Sequence, residues 1–196
     1  MLALLTIPAG TPRGGVVVVH GLGVHPDWGL IGGVRGGLAD AGYVTLSVQM
    51  PVLYANATRD DYRVTLPEAG ERIAAAIAYL RGKGIARIAI VSHSLGATMA
   101  NTYLARPDAL AIDAWIPVGM FGTFSTPPKE VLFDVVAEND VTEVLAAAPL
   151  RARSLRQDHC SRQATIAGAD HYFGDRQKEL AAAIANFLDR TFEGRC

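Results

Sequence analysis

Ile88–Gly96 reads IAIVSHSLG: four apolar residues, then Ser92-His93-Ser94-Leu95-Gly96. The apolar run does not alternate with polar residues, so it predicts a strand, Ile88–Ser92, buried on both faces. Leu95–Ala105 has helical character and stops before Pro107. A serine between such a strand and helix, with small residues two places before and after it, fits G-x-S-x-G with Ser92 in the first glycine position. This pattern carries a sharp turn that strains the serine backbone and lifts its hydroxyl above the carboxyl edge of a sheet. It also aims the positive end of the following helix at the reacting centre.

The same alternation extends outward in both directions. Upstream, Gly15–His20 (GVVVVH) and Tyr43–Gln49 read as strands, with helices expected over Leu30–Ala41 and Glu68–Arg81. Downstream, Ala114–Val118, Val131–Ala137 and Arg162–Ala167 read as strands, with helices over Val144–Asp158 and Gln177–Phe192. Leu2–Ile7 adds a candidate edge strand. Strands that alternate with helices pair in parallel through right-handed crossovers. The expected fold class is therefore α/β: one domain over residues 1–196, with a doubly wound, mostly parallel sheet of about six to seven strands and helices on both faces. The segment between the strands at Ala114–Val118 and Val131–Ala137 is Gly119–Glu130, rich in Gly, Thr and Pro. It is too short and too broken by Pro127-Pro128 to form a helical cap. An open, shallow cleft bordered by Leu22–Trp28, Pro51–Leu66 and Gly119–Pro128 is expected.

A nucleophilic serine needs a base, and the base needs an orienting acid. Of the two histidines after Ser94, His171 follows the last strand in AGADHYF (167–173), at the strand end where open α/β sheets bind ligands. His159 precedes that strand, at its opposite end. The acid should follow the preceding strand, where VLFDVVAENDV (131–141) offers Asp140, with Glu138 as the alternative; Asp134, in mid-strand, reads as structural. Two amides must receive the oxyanion. Leu95, directly after the nucleophile, supplies one. Leu22 supplies the other, from the loop HGLGVHPDW (20–28), with Gly23 as the alternative. His20 reads as a residue holding this loop. His25, Trp28 and Tyr54 are candidates for lining the substrate pocket. Gly21 and Gly23 do not extend to a dinucleotide fingerprint, because Pro26 stands where the third glycine would be.

The strand–HG loop, the S-x-S-x-G elbow, the acid after a strand and the late G-x-D-H together resemble the α/β-hydrolase superfamily over nearly the whole chain. HGLGVHPDW and TLSVQMP (45–51) further resemble a bacterial family of uncharacterised hydrolase-like domains. The layout is also similar to compact dienelactone-hydrolase-type enzymes and carboxylesterases. The resemblance implies Ser94, Asp140 and His171 as a catalytic triad acting on a small acyl compound without metal or organic cofactor. The sequence departs from it in two ways: serine replaces the first elbow glycine, and the cap is missing. Dienelactone hydrolases also use a cysteine nucleophile where this chain has Ser94. A non-catalytic binding domain and a serine acyltransferase are the alternative functions.

Composition sets outer bounds. Lys and Arg total 18 against 19 Asp and Glu, and no basic cluster suited to nucleic acid occurs. Arg151, Arg153 and Arg156 are spaced as the solvated side of a helix. No apolar run reaches the roughly 20 residues that span a bilayer, and Met1–Ile7 lacks the basic start of a signal peptide. The expected compartment is the cytoplasm, or the periplasm if a leader has been removed. Cys160 and Cys196 would be free thiols in the former and could pair in the latter.

Overall fold

A computed structural model of the chain describes residues 2–156 and 160–195. Its seven strands are β1 (Ala3–Thr6), β2 (Gly15–Val19), β3 (Val44–Val48), β4 (Ile88–His93), β5 (Ala114–Val118), β6 (Val131–Asn139) and β7 (Arg162–Asp170). Four helices connect strands, α1 (Gly29–Asp40), α2 (Leu66–Gly82), α3 (Leu95–Leu104) and α4 (Thr142–Arg153), and a fifth, α5 (Gln177–Phe192), follows β7. They form one sheet in the order β1-β3-β2-β4-β5-β6-β7. β1 pairs antiparallel with β3 at the edge, and every other pairing is parallel.

The unbroken valines of β2 show why the central strands lack alternation. Val17 and Val19 enter the core on one face, with Ile73, Ile77 and Leu80 of α2 and Met99 and Tyr103 of α3. Val16 and Val18 enter the core on the other, with Leu30, Ile31, Val34 and Leu38 of α1 and Leu180, Ile184, Phe187 and Leu188 of α5. Both sides of the strand are covered, so both must be apolar. From β2 the chain winds outward to β3. From β4 it winds the opposite way, through β5 and β6 to β7. The order therefore reverses between β2 and β4, and the carboxyl ends of those two strands flank the crevice where such sheets bind ligands. Among the described residues no helix is long and apolar enough to cross a membrane.

Three differences from the sequence expectation follow from particular contacts and backbone geometry. β6 and β7 both run beyond their expected ends, because Gly168, at a φ of 68°, accommodates an irregularity after which Asn139 and Asp170 pair again. The amide of Gly168 donates to Glu138 Oε2 at 2.7 Å, so Glu138 fastens the end of the sheet. α4 begins at Thr142 and ends at Arg153, earlier at both ends than expected, with Pro149 in its interior. Proline leaves the Leu145 carbonyl without its helical donor, at a residue on the exposed side of the helix. Arg151 is not on a solvated face. It is fully buried and pairs at 2.9 Å with Asp134, also fully buried. His159 and Cys196 lie outside the described residues, whereas Cys160 is disulfide-bonded.

Candidate active site

The elbow follows from backbone geometry at the end of β4. Ser94 has a φ of 55° and a ψ of -122°, a conformation that L-residues rarely adopt and that costs about 1–3 kcal/mol. Its amide donates to the Val118 carbonyl at 3.0 Å, and its carbonyl accepts from Ala97 at 2.9 Å in the first turn of α3. α3 crosses close over the end of β2. A Cβ on Gly96 would overlap the His20 carbonyl oxygen and stand 2.7 Å from that of Val19. Gly21 is also tightly placed, though less so, since a Cβ there would lie 3.2 Å from Ser94 Cβ. Ser92, in the place of the first glycine, accepts a hydrogen bond from Trp115 Nε1 at 2.9 Å. The extra hydroxymethyl group is thereby absorbed into the β4–β5 pairing.

Ser94, His171 and Asp140 come together at the carboxyl edge of the sheet. His171 Nε2 lies 3.0 Å from Ser94 Oγ, and His171 Nδ1 lies 2.6 Å from Asp140 Oδ1. A carboxylate can only accept, so Nδ1–H donates to Asp140 and the free Nε2 lone pair faces the serine hydroxyl. Asp140 also accepts from the amides of Val141 at 2.9 Å and Ala137 at 3.3 Å. Burial works to raise the Asp140 pKa, but the His171 contact and these two amides outweigh it and hold the carboxyl below its ordinary range.

The loop after β2 is tied down by His20, which is fully buried. Its Nδ1–H donates to the Gly21 carbonyl at 2.8 Å, and Nε2 accepts from the Met50 amide at 2.9 Å. Burial lowers the His20 pKa and keeps the ring neutral, as an accepting Nε2 requires. In a planar trans peptide, C=O and N–H point in opposite directions. The Leu22 amide is therefore turned away from His20. The Leu95 amide, first in α3, has no partner within its helix.

Two cavities flank the serine. One, of about 100 Å³, is lined by Gly21, Leu22, Val24, Trp28, His93, Ser94, His171 and Tyr172. The other, of about 390 Å³, lies beyond Leu95 and Thr98, between Thr58–Leu66 and Phe121–Gly122. Trp28 meets Tyr172 edge-on at 5.7 Å. His25 and Tyr54 line neither cavity: His25 is exposed and accepts from the Asp27 amide, and Tyr54 is exposed beside Asp61. Ser94 itself is only 8 % exposed. The wide opening expected from the missing cap is thus narrowed by the β2–α1 loop and the segment after β7. Among the described residues no three His, Cys, Asp or Glu side chains are grouped as a metal site requires.

The sequence reading passed over His93 and Phe121. His93 Nε2–H donates to the backbone carbonyl of His171 at 2.8 Å, tethering the segment that carries the imidazole. Phe121 packs edge-on to the His171 ring at 5.5 Å and carries the Arg59 guanidinium 3.6 Å above its face. The only sequence signal for His93 was its place inside the elbow. Burial, chiefly, and the neighbouring His171 push the His93 pKa down to about 4, against an ordinary 6.5. As pH falls from 6.5 toward 4, the unfolded chain takes up this proton and the folded chain does not. The corresponding stability is complete above pH 6.5 and is lost through that window. Urea unfolding at pH 7 and pH 4.5 should differ by about a few kcal/mol from this source. His20 acts in the same direction, so the diagnostic quantity is the reduction in pH dependence on His93→Gln. An unreduced dependence would refute the assignment.

The comparisons bear on this frame. The model of a family described as protein of unknown function (DUF3530) matches residues 5–70. A comparison with curated proteins finds no match. Among solved structures, a putative α/β hydrolase from Agrobacterium tumefaciens superposes with a TM-score of 0.73 at 16% identity, covering 98% of this chain and 91% of that one. The chain has the α/β-hydrolase fold. Est1E from Butyrivibrio proteoclasticus shares the hydrolase fold with a TM-score of 0.72 at 15% identity, covering 97% of this chain and 94% of its own. A dienelactone hydrolase from Anabaena variabilis gives a TM-score of 0.72 at 19% identity, with 96% and 91% coverage. Within that fold, the elbow, the His20 loop and the β6 and β7 ends of this chain all meet at the carboxyl edge of the sheet.

Proposed function

We propose that this protein is a serine hydrolase that cleaves a small ester, or a related acyl compound, through an acyl-enzyme intermediate. The observation that carries the reading is the hydrogen-bonded line Ser94–His171–Asp140, ending on a strained serine at the topological switch point. Ser94 Oγ attacks the acyl carbonyl as His171 Nε2 takes its proton. Asp140 holds the required tautomer and stabilises the imidazolium. The amides of Leu22 and Leu95 receive the oxyanion. His171 then protonates the leaving alcohol and next activates water, which releases the acid and restores Ser94. Trp28, Leu22 and Tyr172 shape the small cavity at the serine; His25 and Tyr54, outside both cavities, would contact only a larger substrate.

Fluorophosphonate labelling tests the reading against a non-catalytic binding domain, because only an activated serine reacts. Stoichiometric labelling at Ser94 is expected; absence of labelling favours the binding domain. Competition by alcohol acceptors separates hydrolysis from acyl transfer.

The cavity sizes limit the substrate. Each buried methylene contributes about 0.8 kcal/mol, and the space of about 100 Å³ that Ser94 and His171 themselves line admits only a short acyl group. With p-nitrophenyl esters from acetate to palmitate, kcat/KM should peak at the short end and show no jump at the micellar threshold. A maximum at palmitate would overturn this preference.

A further inference from the structure

The fully buried Arg151 lies outside the proposed triad, yet it is bonded to the loop that covers it. Its Nε–H donates to Asp134 Oδ2 at 2.9 Å, and Nη1–H donates to the carbonyls of Met120 at 2.8 Å and Gly122 at 3.0 Å. Gln163 braces the pair from β7, donating from Nε2 to Asp134 Oδ2 at 2.6 Å and to the Ala148 carbonyl at 2.7 Å. The two carbonyls held by Arg151 bracket Phe121, whose ring packs on His171. One residue earlier, the loop backbone lies against the pair itself: a Cβ on Gly119 would stand 3.1 Å from His171 Nδ1 and 3.4 Å from Asp140 Oδ2.

The geometry points to Arg151, held by Asp134, as a positioning residue that fixes residues 119–122 against the His171–Asp140 pair and thereby keeps the imidazole aligned with Ser94. Residues 119–130 contain no helix or strand to fix their path. The Gly119 amide donates to the Val135 carbonyl, and Asn101 of α3 holds the Thr123 carbonyl and the Ser125 amide, so Met120–Gly122 lies between these two anchors. A guanidinium is suited to the remainder, because it stays charged when buried and presents several donors in one rigid plane. Three acceptors on two segments, Asp134 on β6 and Met120 and Gly122 in the loop, are joined by a single group.

The effect on rate rests on the function proposed above; the effect on His171 does not. Two variants separate positioning from folding. Asp134→Leu/Arg151→Met removes both buried charges, an exchange that folded proteins often tolerate. Arg151→Lys keeps the charge, but a single ammonium cannot reproduce the planar fork. Phe121→Ala tests the loop directly, without touching the ion pair. Each purified variant is checked for folding by circular dichroism. It is then compared with wild type in two readouts: the imidazole Nδ1–H proton resonance of His171, identified by its loss in His171→Gln, and the rate of fluorophosphonate labelling.

The His171 resonance should broaden by solvent exchange in all three variants, and labelling should slow by about 10- to 100-fold. Adding Phe121→Ala to the double variant should slow labelling little further, since both changes act through one contact. A folded double variant, or Phe121→Ala alone, with an unchanged resonance and unchanged labelling would overturn the inference. A wild type inert to the probe but with a variant-sensitive resonance would reject the hydrolase reading and leave the positioning role standing.

Discussion

Ser94→Ala is expected to lower hydrolysis of p-nitrophenyl acetate by about 10⁴-fold or more and to abolish fluorophosphonate labelling, with the fold intact. The lost hydroxyl makes one hydrogen bond, to His171 Nε2, and a single bond of this kind contributes only about 1 kcal/mol net. Alanine keeps the strained backbone at φ 55°. Ser94→Gly separates strain from chemistry: it should be equally inactive, yet more stable than Ser94→Ala by about 1 kcal/mol, because glycine adopts that conformation without a Cβ penalty. The measurements are turnover and a urea midpoint for each purified variant. Wild-type turnover in Ser94→Ala would remove Ser94 from the mechanism.

Whether a feature was legible in the sequence depended on how local its cause is. β2 and β4 are readable because burial on both faces forces unbroken apolar runs, and α5 because Leu180, Ile184, Phe187 and Leu188 recur at helical spacing. The meeting of Ser94, His171 and Asp140 could be anticipated because parallel topology brings strand ends to one edge, whichever strands they are. What stayed hidden was set through space. Arg151 has the spacing of a surface residue, and only the course of β6 beneath α4 brings Asp134 to it. Gly168 marked an end for β7, yet the irregularity opposite Ala137–Asn139 lets pairing resume at Asp170. Exposure of the serine was misjudged for a related reason. The missing cap was readable, but the fold of the Gly21–Trp28 loop over Ser94, made possible by a glycine against its Cβ, was not.

The two carboxylates that the sequence left in competition should behave in opposite ways. Asp140→Ala is expected to cost about 10⁴-fold in kcat/KM, whereas Glu138→Gln should leave it unchanged. The Asp140 side chain is fully buried and makes the Nδ1 contact with His171. Without it, the imidazole loses the group that selects its tautomer and stabilises its charge. Glu138 instead accepts from the Gly168 amide at the exposed end of the sheet, and a glutamine oxygen can do the same. Asp140→Ala also leaves the Val141 and Ala137 amides without an acceptor beside the imidazole. Added formate can occupy that space, accept from both amides and face Nδ1, so part of the lost rate should return with increasing formate. Loss of structure alone would not be reversed by a small anion. A Glu138→Gln variant that fell as far as Asp140→Ala, or an Asp140→Ala variant at wild-type rate, would transfer the orienting role away from Asp140.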